Sequence, residues 1–176
     1  VDFRPYLQLY TKGFIAVKKD IKISQFLINS RSTTFYDNSG NSTITENYTF
    51  KPNGALSMSQ TNTSDGDIVS NVYFYSQDST LSNEPQIANL ITTNVVGIPL
   101  KTEVYRGIEK ISEEKIEYAK DATTSNLLLP KHVYAKKGAD FTGNNLEKKV
   151  TYNSYDIKGN ITQYTTENGI PVSLVW

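Results

Sequence analysis

A short motif, Tyr-Asp-x-x-Gly-Asn, occurs twice in the chain and restricts the fold more than any other feature. One copy spans 36–41 and the other spans 155–160. The aspartate of such a motif can bond the backbone two residues on, and the glycine supplies the positive φ of a tight turn. Each copy therefore predicts a strand, a turn and a second strand. The residues of this structural turn motif are Tyr36, Asp37, Gly40, Asn41, Tyr155, Asp156, Gly159 and Asn160.

Further turn signals divide the chain into short runs rich in aromatic and β-branched residues, which favour strands. They lie at 51–54, 64–67 and 167–169, each ending in or containing glycine. Turns at intervals of about a dozen residues are typical of an antiparallel meander. The sequence therefore predicts an all-β chain of consecutive β-hairpins. The predicted strands are 33–36, 44–50, 56–61, 68–75, 101–105, 109–118, 128–136, 150–155, 161–165 and 170–176.

Three of these strands carry a finer prediction. Apolar residues alternate on both faces of 68–75, which indicates a strand covered on both sides. The alternation in 109–118 is imperfect, which allows a β-bulge. In 170–176, alternate residues from Ile170 to Trp176 are apolar and are predicted to share one face.

One short helix is predicted near residues 82–92. Ser82 is a suitable N-cap and Glu84-Pro85 suit a first helical turn. Ile87, Leu90 and Ile91 follow at helical spacing. Residues 1–31 are a weakly assigned β segment, in which 14–17 and 21–23 read as strands and 24–30 as a buried strand. Residues 32–176 are predicted to form the β-hairpin region.

Composition narrows the class of protein. The chain has 176 residues, 18 lysines and arginines, 18 aspartates and glutamates, and no cysteine. The balanced charge argues against nucleic-acid binding, which normally requires a basic excess on one face. The lack of cysteine excludes disulfides and thiolate metal sites. No apolar run reaches the ~18 residues of a membrane span.

The two turn motifs and the order of the segments between them resemble the RHS (YD-repeat) family, in particular the degenerate RHS-like region of Bacteroidetes surface or secreted proteins. The resemblance covers 32–176. Its other matching segments are 63–66, 73–75 with Gln77-Asp78, Glu84-Pro85, 96–102 and 155–176. It implies a hairpin ribbon that spirals into a shell, as in polymorphic toxins, on the cell surface or outside a bacterium. It also implies a fragment of a longer chain, with the rest of that chain and a secretion or outer-membrane surface complex as partners.

Candidate chemical groups favour structural roles. His132 is the single histidine and has no nucleophile motif beside it. The 37–41 and 65–67 segments have too few alternating carboxylates for a calcium loop. Glu113 and Glu114 point to opposite faces of a strand and, with Glu109, are interpreted as a solvated edge.

Tyrosines in the predicted strands allow two interpretations. They could form a stacking platform for sugars, or they could be cross-strand packing pairs, which we favour. They are Tyr48, Tyr73, Tyr75, Tyr105, Tyr118, Tyr152 and Tyr164. The sequence thus predicts no catalytic residue, cofactor or metal, and a non-enzymatic scaffold module. The alternative is a cell-surface binding module or adhesin that uses exposed aromatics to bind glycan or protein.

Overall fold

The computed structural model of the protein describes residues 9–10, 13–14, 27–37, 40–62, 66–138, 141 and 145–176. Two short strands, β1 (Leu9–Tyr10) and β2 (Gly13–Phe14), pair with each other. The remaining elements are, in chain order, β3 (Ser30–Asp37), β4 (Gly40–Phe50), β5 (Leu56–Asn62), β6 (Ile68–Phe74), a 3-10 turn (Ser79–Leu81), α1 (Ile87–Thr92), β7 (Lys101–Arg106), β8 (Glu109–Ala119), a second 3-10 turn (Ala122–Thr124), β9 (Leu129–Lys137), β10 (Glu147–Tyr155), β11 (Ile161–Thr166) and β12 (Pro171–Ser173).

Strands β3 to β12 form one antiparallel sheet whose order follows the chain. Each strand is hydrogen-bonded to the strands before and after it in sequence, so the order runs β12 to β3 without a crossover. This confirms the predicted all-β meander with one short helix. Side-chain alternation and turn chemistry are sufficient to predict this sheet, because each strand pairs with the strands that precede and follow it in sequence.

The predicted irregularity in β8 is confirmed. The pairing of β8 with β9 shifts register between Glu117 and Tyr118. The pairing with β7 also shifts, between Val104 and Tyr105. Such bulges place two residues of one strand opposite one of its neighbour, which explains the imperfect alternation in the sequence.

The hydrophobic core is small and lies where an insert, residues 75–100 between β6 and β7, meets β8. The pairing of β7 with β8 ends at Lys101 and Lys115, although β8 continues to Ala119. The insert occupies the vacated place, and Ile116 donates its N–H to the carbonyl of Leu100 at 2.8 Å. The buried core residues are Leu81, Ile87, Leu90, Leu100 and Tyr118.

The predicted start of the helix is wrong. Ser82 follows the first 3-10 turn, and α1 begins only after Gln86. A residue that precedes proline is disfavoured in the α region, so Glu84-Pro85 separates the two helical turns. Ile87 and Leu90 are buried, as their spacing predicts, whereas Ile91 is exposed.

Strand predictions are also wrong at both ends of the chain. The described part of 24–30 is exposed and enters a strand only at Ser30, with Ile28 70% exposed. The segments 15–17 and 21–23 lie outside the described residues. The last strand is limited to 171–173, and Ile170 and Trp176 are exposed. It is an edge strand that starts with proline, which has no backbone N–H to donate to a neighbouring strand.

The prediction that 68–75 is covered on both sides is met only in part. Ser70 and Tyr75 are buried and Ile68 is exposed, while the other residues of the segment are half-buried. The sheet elements of the described chain contact their sheet neighbours and do not stack into two layers. Residues on both faces therefore keep partial contact with water.

Candidate functional site

The second Tyr-Asp-x-x-Gly-Asn copy forms a turn closed by the carboxylate of Asp156. Its Oδ1 accepts the backbone N–H groups of Lys158 and Asn160 at 2.8 and 2.9 Å, and its Oδ2 accepts from the Asn160 side chain at 2.8 Å. These bonds, led by the Asn160 side chain, hold the pKa of Asp156 below its ordinary value. Gly159 has a φ of 85°, which an L side chain rarely adopts. The sequence interpretation of this turn agrees with its geometry.

Tyr155 joins this turn to the neighbouring strand β9. Its hydroxyl donates to the carbonyl of Pro130 at 2.5 Å, and its own carbonyl accepts from the Ser125 hydroxyl at 2.8 Å. The side chain is 8% exposed, and burial raises the pKa of the phenol. The tyrosine of this copy is therefore part of the packed interior.

The first copy has a different geometry. Tyr36 pairs with Asn41, and Asp37 with Gly40, so β3 and β4 are paired up to a two-residue connection. In the second copy the last pair is Tyr155 with Ile161, and five residues connect the strands. Tyr36 is 77% exposed. Successive turns of a meander alternate between the two ends of a sheet, so these two turns lie at opposite ends and do not form one site.

A group of charged side chains on β7 and β8 surrounds a buried carboxylate, that of Glu103. We call it the Glu103 cluster: Lys101, Glu103, Tyr105, Lys110 and Glu113. Glu103 is 8% exposed and accepts from Lys101 at 2.9 Å, from Tyr105 at 2.8 Å and from Lys110 at 3.3 Å. Lys110 also contacts Glu113 at 2.5 Å.

Opposing effects set the protonation of Glu103. Burial raises the pKa of its carboxyl group, but hydrogen bonds from Lys101 and Tyr105 and the charge of Lys110 lower it, and the net pKa lies below its ordinary value. The carboxylate is thus ionised in the folded protein. The cluster links neighbouring strands and favours one register, because a slip would separate the buried charges.

The interpretation of Glu109, Glu113 and Glu114 as a solvated edge is wrong about the edge, and it is wrong about solvation for Glu113. Strand β8 pairs with β7 on one side and β9 on the other, so it is an interior strand. Glu113 is half-buried in the Glu103 cluster, while Glu109 and Glu114 are exposed. The alternation Lys101, Glu103, Tyr105 was a signal in the sequence that could have indicated the cluster, since these residues share one face.

The seven tyrosines named above are buried or half-buried in the structure. Tyr152 and Tyr164 face each other across β10 and β11. This pair has the geometry of cross-strand packing, and none of the seven side chains is in the exposed class that a stacking platform requires. Another tyrosine, Tyr134, has Lys115 and Lys148 over its ring at 5.3 and 5.7 Å from the centroid.

His132 lies on β9 opposite Glu117 of β8 and Thr151 of β10. Its Nδ1 is 3.3 Å from the Thr151 hydroxyl. Burial, followed by the charge of Lys148, lowers the pKa of the imidazole. The ring is therefore neutral at neutral pH.

The two turn segments considered for calcium lie partly outside the described residues, at 38–39 and 65. Asp67 of the second segment lies 3.7 Å from Arg106. Among the residues that the structure describes, no three His, Asp or Glu side chains are grouped as a metal site.

Comparison with family models, curated proteins and solved structures gave no match to this chain. Within the described ranges, no helix has the length and apolar character needed to cross a membrane.

Proposed function

We propose that this chain is a non-enzymatic structural module of an exported RHS/YD-repeat-like protein, whose sheet forms part of a β scaffold or shell that encloses or presents another domain. The observation that carries the proposal is the strictly linear order of ten strands. Such a sheet can be extended by hairpins at either end without rearrangement. The rest of a longer polypeptide is the partner that the proposal implies.

The faces of the sheet support a role as a wall. Strands β3 and β4 are joined by two exposed hydroxyl pairs, Ser32 with Thr45 at 3.1 Å and Thr34 with Thr43 at 3.0 Å. The buried apolar cluster lies where the insert meets β8, and it includes Tyr118 of that strand. A wall with two water-accessible faces requires this distribution, whereas a compact domain buries one face of its sheet.

The edge of β3 provides a sharp test. Side chains approach most closely at positions whose backbone groups are not bonded to each other. The close hydroxyl pairs therefore place the N–H of Thr34 on the outer edge, away from β4. Proline at this position removes an outward donor and leaves the β3–β4 ladder intact.

The experiment uses the full-length product of the reading frame that contains this chain. Limited proteolysis and negative-stain microscopy of the parent are expected to show a protected assembly that continues beyond this chain. Thr34→Pro is expected to expose 30–37 to protease, whereas Thr34→Val, which keeps the N–H, is expected to leave protection unchanged. A protected core that ends at the limits of this chain, with Thr34→Pro as resistant as Thr34→Val, would refute the scaffold function.

A further inference from the structure

A small pocket lies where the insert meets strands β8 and β9. Its volume is about 250 Å³, below the ~300–1,000 Å³ that drug-sized ligands occupy. The insert and the two strands both contribute polar side chains to it. The lining residues used below are Pro85, Gln86, Glu117, Tyr118, Lys131 and His132.

Gln86 has an unusual backbone conformation. Its φ of 64° and ψ of 5° lie in the left-handed region, which a residue with a side chain adopts at a cost. Its carbonyl accepts the N–H of Leu90 at 2.9 Å, and its amide oxygen accepts from Asn89 at 2.6 Å. The amide nitrogen carries two N–H donors. Glycine would adopt this left-handed conformation without strain. A role for the side chain would explain why position 86 is a glutamine.

Glu117 and His132 face each other across the floor of the pocket. One oxygen of Glu117 accepts from the Tyr134 hydroxyl at 2.9 Å, which orients the carboxylate. A carboxylate has several further acceptor positions. The Nδ1 of the neutral His132 ring is near Thr151, which leaves Nε2 as its second hydrogen-bonding atom.

Charges around the pocket balance. Lys131 forms an ion pair with Asp121 at the rim. Glu117 carries one negative charge, and Lys148 contributes one positive charge near His132. The two charged side chains that line the pocket, Glu117 and Lys131, have opposite formal charges, so the lining does not favour an anion or a cation.

We propose that this pocket binds one neutral polyhydroxylated ring, a monosaccharide unit of a glycan. Glu117 would accept from ring hydroxyls, Gln86 would donate to them, and the apolar surfaces of Pro85 and Tyr118 would contact ring C–H groups. The volume fits a single ring, and the mixed donors and acceptors suit hydroxyls, which do both. The proposal does not depend on the scaffold function, and either can fail without the other.

The test is an NMR titration of the protein with glucose, galactose and N-acetylglucosamine, each added to its solubility limit. Acetate serves as a smaller anionic ligand and glycine as a smaller zwitterionic one. At least one sugar is expected to cause saturable shifts at 117, 131 and 132. Glu117→Gln, which keeps an acceptor for Tyr134, is expected to weaken binding about tenfold, the effect of one charged hydrogen bond.

Two further variants separate binding from folding. Gln86→Gly relieves the left-handed backbone, so it is expected to keep or raise thermal stability while it weakens sugar binding. Glu114→Gln, on the same strand but exposed on the opposite face, is expected to bind as the wild type does. No saturable shift with any sugar, tighter binding of acetate or glycine than of sugar, or wild-type affinity in Glu117→Gln and Gln86→Gly would each overturn the proposal.

Discussion

Replacing Glu103 by glutamine tests whether the Glu103 cluster stabilises the sheet. The carboxylate accepts from two lysines and one tyrosine, and its side chain is 10% exposed. Removing one member of a fully buried ion pair costs ~3–5 kcal/mol. Here Lys101 and Lys110 keep some contact with water, Lys110 keeps Glu113, and glutamine still offers one acceptor. We therefore expect a loss of about 2 kcal/mol in the free energy of unfolding.

The measurement is urea unfolding followed by far-ultraviolet circular dichroism, with Glu114→Gln as the matched control. Glu114→Gln removes the same formal charge as Glu103→Gln. Because Glu114 is exposed, we expect this substitution to change the free energy of unfolding by less than ~0.5 kcal/mol. Equal effects of the two substitutions would refute the reasoning, because general charge loss and not the cluster would then explain the result.

The pH dependence of the same pair gives an independent check. The pKa of Glu103 is lowered in the folded state from its ordinary 4.5. A lowered carboxyl pKa contributes stability above the unfolded pKa and loses it as pH falls through the folded pKa. The stability difference between wild type and Glu103→Gln is thus expected to shrink on acidification below about pH 5. A difference that grows on acidification would contradict the assignment.

Three other outcomes are expected from the same unfolding assay. Gly159→Ala should lower the free energy of unfolding by about 1–2 kcal/mol because of the left-handed φ. Gly97→Ala should lower it less, because Gly97 has open space around it and no such φ. Equal losses in the two variants would contradict the role of the Gly159 turn. Leu90→Ala truncates a buried core side chain and should lower the free energy of unfolding by ~2–5 kcal/mol. Ile91→Ala, at an exposed position, should lower it much less. A small effect of both substitutions would argue against the core at the insert. His132 has a lowered pKa, so wild type should lose stability as pH falls below the ordinary 6.5 and His132→Gln should lose less; parallel pH profiles would contradict a half-buried neutral imidazole.

The sequence predicted the meander because its determinants are local. Turns such as that at Gly159 combine a positive φ with a bonding aspartate, and both are properties of adjacent residues. The start of α1 was predicted too early because both Ser82 and Pro85 are residues typical of a helix start. The packing of Leu81 and Ile87 in the core beside β8 determines where the helix begins.

The Glu103 cluster was harder to predict for a different reason. Its members come from two strands, and the bulge near Tyr105 changes which residues are opposite each other. The register that brings Lys110 to Glu103 cannot be read from alternation alone. The pocket at Gln86 likewise depends on how a 75–100 insert packs, and no local pattern specifies that.

The linear strand order also has a consequence for how the chain acquires its structure. Every strand can pair with the one made just before it, so the sheet can grow one hairpin at a time as residues emerge from a ribosome or a secretion channel. The insert between β6 and β7 interrupts this growth. Low sequence separation between partners favours fast folding. A chain of this design can also gain or lose a hairpin pair during evolution without repacking the strands that remain.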